Sequence, residues 1–136
     1  MSSGKLLIVD DEKVALKNLE HVMKKEGYEV VATQSGANAL AYIEKQAFDV
    51  VLTDLRLPGI GGTSVLDAAL DRYPDILVVV MTGYGTVRDA VALIKRGAVD
   101  FITKPFQPEE LLHVLHEAGW IGAWDPFWTP ARYEEV

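Results

Sequence analysis

Cysteine is absent from this chain of 136 residues, which excludes disulfide bonds and thiolate metal sites. Long apolar runs near the amino terminus are also lacking, because Leu6–Val9 is too short for a signal-peptide core or a membrane span. Basic residues are the minority: 13 Lys and Arg stand against 20 Asp and Glu, for a net charge of −7. Neutralising nucleic-acid phosphates requires clustered Lys and Arg. The sequence therefore predicts a soluble cytoplasmic protein that binds neither a membrane nor nucleic acid directly.

Short apolar runs alternate with stretches of helical spacing along most of the chain. Strands are predicted at Leu6–Val9, Val30–Ala32, Val50–Thr53, Leu77–Met81 and Phe101–Thr103. Helices are predicted at Val14–Lys25, Ala37–Gln46, Thr63–Tyr73 and Val87–Arg96, with a fifth beginning at Pro108. Ser35 is placed to cap the second helix, and Gly27 and Gly97 to end the first and fourth. This strict alternation predicts a parallel α/β sheet with helices on both faces.

Three carboxylates and one lysine directly follow predicted strands. Asp10 and Asp11 follow the first strand, Asp54 the third and Lys104 the fifth. The carboxyl ends of parallel strands open on one edge of a sheet, where ligands collect. Three acids converging there need a hard cation and an ammonium to stay ionised, so the set predicts a Mg²⁺ site beside an aspartate that can carry a phosphoryl group. The alternative is that Asp10 or Asp11 caps the first helix.

Four short motifs resemble, in order and spacing, the receiver domains of two-component response regulators. They are Val9–Glu12, Leu52–Gly59, Met81–Gly83 and Lys104–Phe106. The similarity covers about residues 5 to 118, so residues 1–118 are interpreted as one receiver domain. The stretch Gly83–Phe106 looks most similar to receivers that precede ATPase-type transcription activators. The resemblance implies a flavodoxin-like, doubly wound (βα)5 fold with strands in the order 2-1-3-4-5.

The resemblance also implies a role for each polar residue at the sheet edge. Asp54 is the phospho-acceptor, which takes its phosphoryl group from a histidine kinase or a phosphotransfer protein. Asp11, Asp54 and the backbone carbonyl of Arg56 bind Mg²⁺ directly, and Asp10 binds it through a water. Lys104 pairs with a phosphoryl oxygen. The Lys104-Pro105 peptide bond is expected to be cis, as in the family.

A receiver is a switch rather than an enzyme with turnover, and the resemblance implies which residues move. Thr82 donates its hydroxyl to the phosphoryl group, and Phe101 turns inward into the space that Thr82 leaves. Arg56 and Tyr84 are bulky and lie near the path of an attacking water. We therefore expect slow self-dephosphorylation.

The surface expected to change combines the helix Val87–Arg96, the strand Asp100–Thr103 and the helix Pro108–Ala118. We interpret it as the contact for a downstream output protein or domain, or for a second copy in a phosphorylation-dependent homodimer. The candidate ion-pair residues on this surface are Arg88, Lys95, Arg96 and Asp100.

Residues 119–136 form a separate segment in which Trp120, Trp124 and Trp128 are spaced four apart. Pro126 should break any helix through them. The segment either packs on its own domain, is an accidental end of a truncated chain, or docks on a partner or a second copy through its aromatic side chains.

Two other functions are compatible with parts of the sequence. A strand followed by Asp10-Asp11-Glu12 faintly resembles the start of haloacid-dehalogenase-type phosphatases, although that family has Asp at the position of Glu12. A non-phosphorylated binding module that keeps the fold for assembly is the other alternative. The phosphatase would need Asp10 for turnover, whereas the binding module would not need Asp54.

Overall fold

The computed structural model describes residues 4–83 and 87–118, in which five strands alternate with five helices. The strands are β1 (Lys5–Val9), β2 (Glu29–Thr33), β3 (Val50–Asp54), β4 (Leu77–Thr82) and β5 (Asp100–Thr103). The helices are α1 (Lys13–Lys25), α2 (Gly36–Lys45), α3 (Gly62–Arg72), α4 (Val87–Lys95) and α5 (Pro108–Glu117). The predictions for Tyr84 and for residues 119–136 lie outside the described residues. Among the residues that are described, no helix has the length and apolar character needed to cross a membrane.

All five strands are parallel and form one sheet in the order β2-β1-β3-β4-β5. This confirms the predicted 2-1-3-4-5 order and the flavodoxin-like, doubly wound (βα)5 fold. Asp54 pairs with Met81 of β4, and Thr82 pairs with Thr103 of β5. All five predicted strands were too short, β2 by two residues and the others by one. At β3 and β4 the backbone pairing continues through Asp54 and Thr82.

Side chains alternate across the sheet and build a separate core on each face. On one face Leu7, Val9, Val51 and Val80 pack with residues of α2, α3 and α4. On the other face the strand residues pack with α1 and α5. The central strands β1, β3 and β4 are buried on both faces, which explains why they read as continuous apolar runs. This rigid sheet fixes the positions of the residues at its carboxyl edge.

The predicted helix boundaries are largely confirmed by local hydrogen bonds and backbone angles. The Ser35 hydroxyl accepts a hydrogen bond of 3.1 Å from the backbone N–H of Asn38 and caps α2. Gly27 and Gly97, just after α1 and α4, have φ of 99° and 122°, which favours glycine. Pro108 begins α5, as expected for a residue without a backbone N–H.

Gly62, the first residue of α3, lies against the end of β3. A Cβ added there would lie 2.5 Å from the backbone carbonyl oxygen of Asp54. We expect Gly62→Ala to lower the free energy of unfolding by about 1–3 kcal/mol, because either α3 or the end of β3 must shift. Urea unfolding followed by circular dichroism measures the change. Gly83→Ala is the control, since a Cβ there meets no atom of the described residues within 4 Å. Equal losses in both variants would contradict the close approach.

Candidate functional site

Three carboxylates meet at the carboxyl edge of the sheet. One oxygen from each of Asp10, Asp11 and Asp54 lies within 4.8 Å of the other two. Asp10 follows β1 and Asp54 ends the neighbouring strand β3, so the sheet order brings them together. Asp10 is 2% exposed, whereas Asp11 is exposed to solvent. The predicted convergence of the three acids is confirmed.

Asp10 and Asp11 do not cap the first helix. Glu12 occupies the N-cap position of α1, and α1 has no side-chain cap. One carboxylate oxygen of Asp10 instead accepts a hydrogen bond of 3.0 Å from the backbone N–H of Glu12. This bond orients the Asp10 carboxylate beside the site rather than over the helix end.

Lys104 brings an ammonium group to two of these acids. Its Nζ lies 2.8 Å from Oδ2 of Asp10 and 2.9 Å from Oδ2 of Asp54. Lys104 follows the edge strand β5, so its long side chain reaches past β4 to the ends of β1 and β3. Its backbone N–H donates to the carbonyl of Thr82 at 2.8 Å, and the Lys104-Pro105 peptide bond is cis, as predicted.

The charges at the site are not balanced. Burial lowers the pKa of Lys104, but hydrogen bonds and Coulombic attraction from Asp10 and Asp54 outweigh burial and raise it above its ordinary value. Lys104 therefore stays protonated at neutral pH. One ammonium faces three carboxyl groups, so the formal charge of the site is −2. A cluster of carboxylate oxygens with this excess charge fits a hard divalent cation.

Arg56, two residues after Asp54, connects the Asp54 carboxylate to helix α4. The backbone N–H of Arg56 donates to Oδ1 of Asp54 at 3.2 Å. The side chain of Arg56 extends to α4, where its guanidinium donates to Oδ2 of Asp89 at 3.2 Å. Both ends of Arg56 are therefore engaged, one with the site and the other with a neighbouring helix.

Thr82 and Phe101 lie on the adjacent strands β4 and β5. Thr82 is fully buried, and its hydroxyl donates to the carbonyl of Gly83 at 3.3 Å. Phe101 is partly buried and packs against the core on the α2, α3 and α4 face. In the register of β4 and β5, Phe101 lies opposite Val80 and Thr82 opposite Thr103. The movement of Thr82 and Phe101 stays a prediction.

The predicted ion pairs on the α4, β5 and α5 surface need a correction at Arg96. Its guanidinium pairs with the carboxylate of Asp67 on α3, with Nε 3.3 Å from Oδ1. The Asp100 carboxylate accepts from the backbone N–H of Phe101 at 2.7 Å. The sequence did not predict that Asp67 and Asp89 form ion pairs. Both lie on helix surfaces, and a residue's position on a helix does not indicate which residue distant in sequence it will contact.

The model of the response regulator receiver domain family matches residues 6–116. RegA of Cereibacter sphaeroides, a photosynthetic apparatus regulatory protein, is 38% identical over 84% of this chain and 62% of RegA. GlrR of Escherichia coli K12, a transcriptional regulatory protein, is 34% identical over 83% of this chain and 26% of GlrR. The chain thus spans less than two thirds of each of these two relatives.

A solved structure with a similar fold is NtrX of Brucella abortus. It superposes with a TM-score of 0.80 at 34% identity. The similarity covers 87% of this chain and 27% of NtrX. The similarity therefore concerns one domain of a longer protein.

Proposed function

Because this chain belongs to the family of response regulator receiver domains, we propose that it is a phosphorylation-activated signalling switch with Asp54 as its phospho-acceptor. The contact between the Asp54 carboxylate and the Lys104 ammonium, beside two further acids, carries the proposal. A carboxylate at this edge can act as a nucleophile, and the ammonium offsets the charge that arrives. The proposed receiver domain comprises residues 1–118.

The phosphoryl group passes from a phosphohistidine to Asp54. A carboxylate oxygen of Asp54 attacks phosphorus, the P–N bond breaks, and the imidazole leaves with the electron pair and takes up a proton. The product is an acyl phosphate. Lys104 then pairs with a phosphoryl oxygen, while the backbone N–H of Arg56 holds the carboxyl group in place. The donor is a histidine kinase or a phosphotransfer protein.

The acid cluster supports Mg²⁺ as the cofactor. Asp11, Asp54 and the backbone carbonyl of Arg56 would hold the ion directly, and Asp10 would hold it through water. Magnesium takes few protein carboxylates and keeps several waters, which fits a partly exposed cluster with one buried member. When bound, the ion neutralises negative charge on the transferring phosphoryl group.

The surface around the acids has features that suit binding of the phosphodonor protein. A cavity lies between α1 and residues 104–108, and Asp10 and Lys104 line it. Val14 on α1 is 83% exposed, an unusual exposure for a large apolar side chain. We propose that the phosphodonor protein covers this region when it presents its phosphohistidine.

The output surface is proposed to be α4, β5 and α5. Val87 and Val91 on α4 are 42% and 40% exposed, and Val99, just before β5, is 37% exposed. These side chains would supply apolar contact area. Movement of Thr82 toward the phosphoryl group and of Phe101 into the core would change this surface. The partner is a downstream output protein or domain, or a second copy in a phosphorylation-dependent homodimer. Similarity to a transcriptional regulatory protein supports an output in transcription.

Uptake from a small phosphodonor tests the proposal. We expect one phosphoryl group to be added to the chain by acetyl phosphate with Mg²⁺, measured by intact mass, and none after the metal is chelated. Steady hydrolysis of phosphate esters that needs Asp10 would favour the phosphatase. No adduct under any condition would favour the non-phosphorylated binding module and overturn the proposed switch.

A further inference from the structure

Two ion pairs tie the ends of α4 to the α3 side of the molecule. At the beginning of α4, Asp89 accepts a hydrogen bond from Arg56, which lies in the loop between β3 and α3. Just beyond its end, Arg96 pairs with Asp67 of α3. These are the two ion pairs that link α4 and Arg96 to the rest of the described chain, and only the first of them adjoins the phospho-acceptor.

Arg56 is two residues after Asp54 and already touches it. Its backbone N–H donates to Oδ1 of Asp54, so the start of the Arg56 side chain lies beside the reacting carboxylate. The same side chain holds Asp89 with its far end. Among the described residues, Lys104 and Arg56 are the two basic residues with a hydrogen bond to the Asp54 carboxylate. Lys104 donates from its ammonium, and Arg56 donates from its backbone N–H, so its guanidinium is free to point elsewhere.

We propose that Arg56 exchanges partners when Asp54 is phosphorylated: its guanidinium leaves Asp89, binds oxygens of the phosphoryl group, and frees the beginning of α4. This inference rests on the proposed phosphorylation of Asp54. Arg56 is the binding residue, and Asp89 is a positioning residue that competes for it. The exchange would connect the phosphoryl group to α4 by a route that does not pass through Thr82 and Phe101.

The charges and exposures favour the exchange. The side chains of Arg56 and Asp89 are 72% and 58% exposed, and exposed pairs of this kind are weak because water and salt screen them. A phosphoryl group brings about −1.5 to −2 charges and three strong acceptor oxygens. A guanidinium presents a planar fork of donors that binds such oxygens in pairs. The phosphoryl group is thus a stronger partner for Arg56 than Asp89 is.

Titration with beryllofluoride in the presence of Mg²⁺ tests the exchange, since this tetrahedral anion adds to a carboxylate as a phosphoryl group does. Nuclear magnetic resonance gives both the Kd and the signal of the Arg56 side-chain Nε–H. In the wild-type chain this signal should shift when the adduct forms. We expect Asp89→Asn to tighten binding about two- to fivefold, because the competitor for Arg56 is gone.

Two controls separate the exchange from a general effect of charge. Asp67→Asn removes the same charge from the other ion pair of α4 and should leave the Kd unchanged. In an Arg56→Gln background, Asp89→Asn should no longer change the Kd. A fixed Arg56 signal, equal Kd values for the wild-type chain and Asp89→Asn, or an Asp89→Asn effect that persists without Arg56 would each overturn the exchange.

Failure of the proposed function gives a different result. If Asp54 forms no beryllofluoride adduct and the chain takes up no phosphoryl group, the receiver function is wrong and the exchange falls with it. If the adduct forms on Asp54 with none of the expected differences among the variants, only the exchange is wrong.

Discussion

Asp54→Asn takes up no phosphoryl group from acetyl phosphate and Mg²⁺ under conditions that fully phosphorylate the wild-type chain. An amide oxygen is neutral and a poor nucleophile, so the acyl phosphate cannot form. Asn has nearly the same shape as Asp, and its amide oxygen can still accept a hydrogen bond from Lys104 or from the backbone N–H of Arg56, so the fold should be retained. Intact-mass measurement over time gives the result directly, and circular dichroism checks the fold.

Asp75→Asn is the matched control for Asp54→Asn. Asp75 is exposed and lies before β4, far along the chain from the acid cluster, and its substitution removes the same charge. It should take up one phosphoryl group at the wild-type rate. Normal uptake by Asp54→Asn would mean that another side chain accepts the group, and Asp10 and Asp11 would be the first to examine.

Lys104→Met is expected to lower the free energy of unfolding by about 3 kcal/mol when no Mg²⁺ is present. The ammonium contacts two carboxylates, and Asp10 is almost fully buried, so the variant leaves a buried charge without its partner. Methionine keeps the length and the apolar part of the side chain, which isolates the effect of the charge. Urea unfolding in a chelating buffer measures the loss.

Mg²⁺ should recover part of this loss in Lys104→Met. A ligand that binds only the folded state stabilises it, by about 2.7 kcal/mol at a concentration one hundred times its Kd. Lys45→Met is the control, because Lys45 is exposed near the end of α2 and should cost little. A loss in Lys104→Met no larger than in Lys45→Met would contradict the account of the charge balance.

Most of the fold follows from the sequence because one physical rule repeats along it. Strands buried on both faces read as apolar runs, and amphipathic helices lie between them, so periodicity predicts every described element. Gly27, Gly97 and Ser35 mark their helix ends because each position has a specific backbone requirement. The strand ends at Asp54 and Thr82 were missed, since polar residues there still pair with their neighbours through the backbone.

The acid cluster was predictable for the same reason, and the ion pairs of α4 were not. Strand ends in a parallel sheet share one edge, so Asp10, Asp54 and Lys104 had to be close to one another. Asp67 and Asp89 lie on helix surfaces, where the rotation and tilt of each helix decide which side chains meet. Those angles result from packing of the whole core, so no short sequence motif predicts the contacts of these residues with Arg96 and Arg56.

Chemical mapping of the modified residue tests the central claim most directly. Acyl phosphates are electrophilic, so borohydride reduces a phosphorylated aspartate to homoserine and leaves free carboxylates unchanged. After treatment with acetyl phosphate and Mg²⁺, peptide mass spectrometry should find homoserine at position 54. Homoserine at position 10 or 11, or none anywhere in the chain, would contradict the assignment of Asp54 as the phospho-acceptor.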